Sequence, residues 1–135
     1  LRYFSVYGNR MLLEGAYCLV LGIFAKQMLE GKPLTITNNG KQRRDFTHVD
    51  DIVSANILAA ENDSVGNAEV MNVGTGTNHS VLDLVNLIGG EYSHIPNRPG
   101  EARETLADIS KIKRFLGWEP SVDFEQWIDK SLLSL

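Results

Sequence analysis

Val70-Met71-Asn72-Val73-Gly74-Thr75-Gly76-Thr77-Asn78-His79-Ser80 is the stretch on which the fold turns. Val70 to Val73 has the length and apolar character of a short strand. Gly74-Thr75-Gly76 turns the chain, and Ser80 with Asp83 three residues on has the spacing of a capping box, which opens a helix to about Ile88. Gly89-Gly90 stops that helix. A strand that runs through a glycine turn into a helix points to a mixed α/β chain. The same arrangement can cradle a dinucleotide pyrophosphate, but the full pattern needs a third small residue where His79 stands. A tight turn into a helix is the simpler reading.

Working outward, residues 1 to 6 are apolar, aromatic and β-prone, ended by Gly8 and Asn9. They read as a buried strand already under way, so the expectation is a chain that has lost its beginning. Residues 17 to 30 read as a helix with Val20, Phe24 and Met28 on one face, stopped by Gly31 and Pro33. Gly22 is a weak point in it, costing about 1 kcal/mol relative to alanine. Leu34 to Thr37 is a short strand, Asn38-Asn39-Gly40 a turn, and Asp45 to Val49 a returning strand, so a small hairpin is expected. Asp50 and Asp51 open a helix through about Asn62, favoured by the helix dipole. Further on, residues 92 to 96 are extended and Pro96 to Gly100 form a loop. Asp108 caps a helix that ends at Leu116 before Gly117, and Asp123 with Gln126 starts a last helix ending in Leu132 and Leu133.

Composition narrows the function. The chain has 135 residues, 43% hydrophobic and 22% charged, enough for one modest core. A net charge of −4 disfavours a general nucleic-acid surface, which needs clustered Lys and Arg. No apolar run approaches the roughly 20 residues that cross a bilayer. The single cysteine, Cys18, excludes an intrachain disulfide, suits a reducing, cytoplasmic setting and reads as a small buried hydrophobe. His48, His79 and His94 are scattered without metal-ligand spacing, and no Gly-x-Ser-x-Gly elbow occurs. No Tyr-x-x-x-Lys occurs either. Arg44, after the turn at Gly40, and Arg98, in a stiff Pro-Gly loop, have the forked donors that suit phosphate oxygens. Solvated or salt-bridged surface arginines explain the same two residues.

Taken in order, several segments resemble one family. Leu1-Arg2-Tyr3-Phe4-Ser5-Val6-Tyr7-Gly8 resembles its Arg-Tyr-Phe-Asn-Val-Tyr-Gly strand, and Gly31-Lys32-Pro33-Leu34-Thr35-Ile36 its Gly-x-Pro-Leu-x-Ile segment. Arg44-Asp45-Phe46-Thr47-His48-Val49-Asp50-Asp51 resembles Arg-Asp-Phe-x-x-Val-x-Asp, and Met71-Asn72-Val73-Gly74-Thr75-Gly76 resembles Tyr-Asn-Ile-Gly-x-Gly. Arg98-Pro99-Gly100-Glu101 is similar to Arg-Pro-Gly-Asp. Ala107 to Lys111 and Leu116 to Pro120 match a late family signature. The family is the NAD-dependent epimerases and dehydratases, extended short-chain dehydrogenase/reductases of the UDP-glucose 4-epimerase type.

The resemblance implies an α/β (mixed α+β) fold: the carboxy-terminal, substrate-binding portion of an extended Rossmann-type epimerase, with an incomplete parallel sheet. Residues 1–135 would form a single truncated unit, the substrate-binding domain plus the last strands and one helix of a Rossmann domain. Tyr3 would lie near the nicotinamide of NAD or NADP. Ser5 would stand where the family has Asn against the substrate diphosphate. Arg44 and Arg98 would hold that diphosphate, Glu101 would take the ribose hydroxyls, and Thr35 and Thr37 would flank the base. The expected ligand is a nucleotide sugar, a UDP-sugar first. The family's Gly-rich cofactor loop and its Tyr-x-x-x-Lys pair are absent from this sequence, so no turnover is expected from it alone. The alternative is a non-catalytic binding or assembly module that works with a separate cofactor-binding chain. An exposed strand edge implies self-association, as a homo-oligomer or with a missing amino-terminal half.

Overall fold

Short apolar runs broken by glycine and proline give short elements, and the computed structural model, which describes residues 1–66 and 68–132, contains many of them. In chain order they are β1 (Arg2–Tyr3), β2 (Val6–Tyr7), α1 (Val20–Leu29), β3 (Leu34–Thr37), β4 (Arg43–Arg44), β5 (Thr47–His48) and α2 (Val49–Glu61). There follow β6 (Asn72–Val73), β7 (His79–Ser80), α3 (Val81–Ile88), β8 (Tyr92–Ile95), α4 (Ser110–Leu116), α5 (Phe124–Trp127) and a π-helical turn over Ile128–Leu132. Leu133, expected in the last helix, lies outside the described residues. The elements gather into two compact units, each built from three separated stretches of chain.

The first unit comprises Leu1–Gly8, Arg44–Asn78 and Thr105–Val122. The strand expected over residues 1 to 6 is one extended segment that changes partner midway. Its first half bonds to β6 in parallel, Arg2 opposite Asn72, with Arg2 N–H on the Met71 carbonyl at 2.8 Å and Phe4 N–H on that of Val73 at 3.0 Å. Its second half faces the other way: Thr47 N–H reaches the Ser5 carbonyl at 3.3 Å, and β2 runs parallel to β5. Ile52 and Ala55 of α2, Met71, Val73, Ile112 and Leu116 of α4, and Trp118 make the core.

Two buried carboxylates tie this unit together. Helix α2 begins at Val49, one residue before the expected start, because His48 caps it: Asp50 N–H donates to the His48 Nδ1 at 3.2 Å. Asp50 is exposed in the first turn, as the dipole reading requires, but Asp51 is 2% exposed and has a second task. It accepts from Ser121 N–H at 2.9 Å, Ser121 Oγ–H at 2.7 Å and Val122 N–H at 3.2 Å. The Trp118 indole N–H donates to the Asp51 carbonyl at 3.1 Å and to Ser54 Oγ at 2.9 Å. The second carboxylate, Asp45, is fully buried and is described with the site below.

The second unit comprises Asn9–Arg43, His79–Glu104 and the stretch that starts at Asp123. Leu34 and Ile36 of β3 are buried, with α1 on the strand through its own apolar face (Leu21, Phe24, Ala25) and α3 also against it. Phe124, Ile128 and Leu132 are buried where the last helical segment meets α3. The capping box at Ser80 forms as read: Asp83 N–H donates to Ser80 Oγ at 3.0 Å and Ser80 N–H to the Asp83 carboxylate at 2.8 Å.

Several local expectations are corrected. Leu1, Arg2 and Tyr3 are exposed, so the first strand is not buried at its start. Helix α4 begins at Ser110 with Ile109 as its cap, and Asp108, one residue earlier, accepts from Ser110 N–H at 2.9 Å. The hairpin does not form: β3 pairs in parallel with β8, Leu34 opposite Tyr92, and Thr47–His48 pairs with β2. After the turn, where Asn38 has φ 55° and Gly40 φ 68°, the carbonyls of Gly40 and Gln42 accept the N–H groups of Leu82 and Val81. Those donors are the otherwise unpaired amides of the first turn of α3, so the backbone after the turn is already engaged and cannot pair back on β3. Helix α1 starts at Val20 rather than residue 17, since Cys18 N–H closes a turn on the Gly15 carbonyl at 3.1 Å. Gly22 is a close-approach position: a Cβ there would stand 2.0 Å from the Leu12 carbonyl oxygen.

Candidate functional site

Arg98-Pro99-Gly100-Glu101 forms a turn closed by Glu101 N–H on the Arg98 carbonyl at 3.3 Å. Proline at the second position fixes its φ, and Gly100 at φ 77° supplies the left-handed residue at the third, which is the type II pattern. The first and last side chains, Arg98 and Glu101, both line a cleft of about 470 Å³ within the second unit. Lys41, Gln42 and Arg103 also line it, so three cations stand beside one carboxylate. That excess of positive charge in a concave, partly shielded wall favours an anion. Arg98 also borders a second cleft of about 330 Å³ beside α1, lined by Cys18, Ile23, Lys26 and Gln27.

The two threonines of β3 do different jobs. Thr35 is clamped by Gln27 of α1: the Gln27 amide N–H donates to Thr35 Oγ1 at 2.7 Å, and Thr35 N–H donates back to Gln27 Oε1 at 3.1 Å. Thr37 is buried, donates its hydroxyl proton to Glu101 Oε2 at 3.1 Å and accepts from Gln42 Nε2 at 2.7 Å. Nothing in the sequence singles out Gln42, whose one local signal is a polar residue two positions after the turn at Gly40.

In the first unit, Tyr3 is half exposed and its hydroxyl donates to Asn56 Oδ1 at 2.9 Å. Ser5 is half-buried between β1 and β2, and Arg44 is half-buried in β4. The Gly-x-Gly turn proves to be an anion cradle whose anion is the chain's own. Asp45 accepts from Thr75 N–H and Thr75 Oγ1–H, each at 2.8 Å, from Gly76 N–H at 3.0 Å and from Ala107 N–H at 3.1 Å. A Cβ on Gly74 would sit 2.3 Å from the Ala107 Cβ and 2.9 Å from Asp45 Oδ2. The cradle is filled, and this turn has no room for a cofactor phosphate. Among the described residues no three His, Cys, Asp or Glu side chains gather as a metal site, and no helix is long and apolar enough to cross a membrane. The Cys18 thiol, half-buried and donating to the Leu12 carbonyl at 3.0 Å, is pushed up in pKa by burial, against the pull of Lys26 and Arg98. A raised thiol pKa disfavours the nucleophilic thiolate.

The same fold recurs in solved structures. UDP-glucose 4-epimerase from Thermotoga maritima, with UDP-glucose, is 38% identical with a TM-score of 0.87, over 97% of this chain and 43% of that one. UDP-glucuronic acid 4-epimerase from Bacillus cereus, with UDP-glucuronic acid and NAD, is 34% identical with a TM-score of 0.87, over 97% of this chain and 42% of that one. The fold is therefore mixed α/β, part of the Rossmann-type architecture of the extended short-chain dehydrogenase/reductase epimerases. Residues 1–74 match the NAD dependent epimerase/dehydratase family, and the chain belongs to that family. A putative UDP-glucose 4-epimerase of Methanocaldococcus jannaschii is 35% identical over 96% of this chain and 43% of its own length. The chain thus spans less than half the length of the relatives it matches.

Proposed function

We propose that this chain supplies the nucleotide-binding surface of an NAD(P)-dependent nucleotide-sugar epimerase or dehydratase, with a UDP-sugar as its ligand. The carrying observation is the Arg98–Glu101 turn, which sets a guanidinium and a carboxylate on the wall of one cleft, groups suited to a phosphate and to hydroxyl donors. Arg98 meets the diphosphate and Glu101 the ribose hydroxyls, while Thr35 stands towards the base. The second unit is the substrate-binding portion on this reading, and the first contributes strands and a helix of the dinucleotide-binding half. Tyr3, Ser5 and Arg44, all in the first unit, keep as proposals the roles the resemblance implies. NAD or NADP serves the whole protein, and its phosphates need a cradle other than the turn that Asp45 fills. Support for the ligand class comes from two matched relatives of solved structure, one with UDP-glucose and one with UDP-glucuronic acid.

Titration calorimetry with UDP and UMP tests this. UDP binds, UMP binds more weakly, and Arg98→Ala lowers UDP affinity by about tenfold or more, the weight of one charge-assisted hydrogen-bonding group. Absence of UDP binding by the folded chain would sink the reading.

A further inference from the structure

Resting on the nucleotide reading above, the geometry points to a positioning relay, Gln42 to Thr37 to Glu101, that makes the cleft selective for a ribose carrying its hydroxyls. The direction of each hydrogen bond follows from what each group can give. A threonine hydroxyl has one proton. Gln42 Nε2 stands 2.7 Å from Thr37 Oγ1 and 3.4 Å from the Thr37 carbonyl oxygen, so its two protons both have acceptors on Thr37. Turning the amide over would set two oxygens against each other at the carbonyl. Thr37 Oγ1 therefore accepts from Gln42, and its own proton goes to Glu101 Oε2 at 3.1 Å.

The consequence falls on Glu101. This residue is at the exposed end of a turn, where a glutamate side chain has several rotamers of similar energy. Thr37 is buried on β3, a strand fixed by four-residue pairing with β8, so the anchor is rigid. Holding one carboxylate oxygen on that anchor contributes to ordering the arm before a ligand arrives. An ionised carboxylate only accepts, so the groups it can receive are donors, and a vicinal diol supplies two. Thr37 is thus a positioning residue, tucked behind the carboxylate, rather than a contact for the base. The side chain that orients it, Gln42, is itself in the cleft wall, with its Oε1 buried and unpartnered. That orphaned acceptor is the local cost of aiming both amide protons at Thr37.

Calorimetry on the full 135-residue chain with UDP and with 2′,3′-dideoxy-UDP separates the alternatives. The native chain binds UDP more tightly than the dideoxy compound, by about tenfold. Thr37→Val brings UDP affinity down towards the dideoxy value and leaves the dideoxy affinity unchanged, while Thr37→Ser restores the preference. Gln42→Met shrinks the preference in the same way and serves as the test should Thr37→Val not fold. Equal losses for both ligands, or an undiminished preference in these variants, overturn the relay while leaving the nucleotide site standing. Failure of the native chain to bind UDP removes the site itself, and the relay with it.

Discussion

Asp45 accepts two hydrogen bonds from Thr75, one from its backbone N–H and one from its hydroxyl, each at 2.8 Å. With Gly76 and Ala107 adding a third and fourth donor, a fully buried charge is neutralised almost entirely by backbone amides. Asp45→Asn keeps the volume but points an NH₂ at groups that are themselves donors. It is expected to cost about 3 kcal/mol or more, the range for leaving several buried donors unsatisfied. Thr75→Val removes only the hydroxyl and is expected to cost about 1 kcal/mol. Urea unfolding of the two variants measures the ratio. Similar losses would show that the cradle does not concentrate on the carboxylate.

Gly22→Ala should destabilise the chain, against helix propensity, which favours alanine by about 1 kcal/mol. The added Cβ would meet the Leu12 carbonyl at 2.0 Å and Cys18 Sγ at 2.9 Å. Sulfur can rotate away, but a backbone carbonyl moves only with its loop. Overpacking of this kind costs about 1–3 kcal/mol, which exceeds the propensity gain. A higher melting temperature for Gly22→Ala would show that the Leu12 loop yields freely.

Trp118→Phe is expected to lose about 1–3 kcal/mol, chiefly through the donor rather than the ring. Phenylalanine fills most of the indole's place in the core formed with Ile52, Met71 and Ile112. It leaves the Asp51 carbonyl and Ser54 Oγ without the indole N–H. Chemical denaturation, with Ile112→Val as a volume control lacking any polar change, distinguishes the two contributions. A Trp118→Phe cost no larger than the control's would assign the residue to packing alone.

Local chemistry was legible in the sequence and long-range pairing was not. The Ser80–Asp83 box, the Gly31 and Gly117 stops and the Asp123 cap depend on residues three or four apart, and each forms as read. The hairpin failed because the partner of Leu34–Thr37 lies at 92–95, and nothing in either stretch encodes that choice. That Asp45 and Asp51 are buried carboxylates is not legible locally, since their donors come from positions 75, 76, 107, 121 and 122. For the same reason the bond from Thr37 to a residue 64 positions away is invisible in the sequence, where a role for Thr37 is implied only by the family resemblance.

The capping box gives the stability a defined acid limb. The Asp83 carboxyl is held below its ordinary value of 3.8, first by the Ser80 backbone N–H, with the Ser80 hydroxyl, Arg43 and His79 also lowering it and burial opposing them. A group depressed on folding stabilises fully above its unfolded pKa, and that contribution is lost as pH falls through the lower folded value. The side chain is 44% exposed, so solvent screening holds the contribution below about 1 kcal/mol. Asp83→Asn, which can still accept from Ser80 but carries no charge, should melt lower than the native chain at about pH 6, with the gap closing below about pH 3. A gap that stayed constant across thermal melts in that range would mean that the charge contributes nothing.

If the proposed nucleotide site holds, Arg98 and the surrounding cations predict how UDP binding responds to salt. Among the described residues Arg98 has no carboxylate partner in an ion pair, so a ligand diphosphate would not compete with an internal salt bridge. Lys41 and Arg103 add positive charge to the same wall without the turn that fixes Arg98. Their attraction is long-ranged and screened over about 8–10 Å at physiological salt, whereas a forked contact from Arg98 is short-ranged and geometric. Arg98→Lys keeps the charge and removes the fork, so its affinity should fall between native and Arg98→Ala. Lys41→Ala should lose about threefold at low salt and little at 0.5 M, because screening has already removed its share. Calorimetry at two ionic strengths reads both effects. Equal behaviour of Arg98→Lys and the native chain would reduce Arg98 to a point charge and detach its role from the geometry of the Arg98–Glu101 turn.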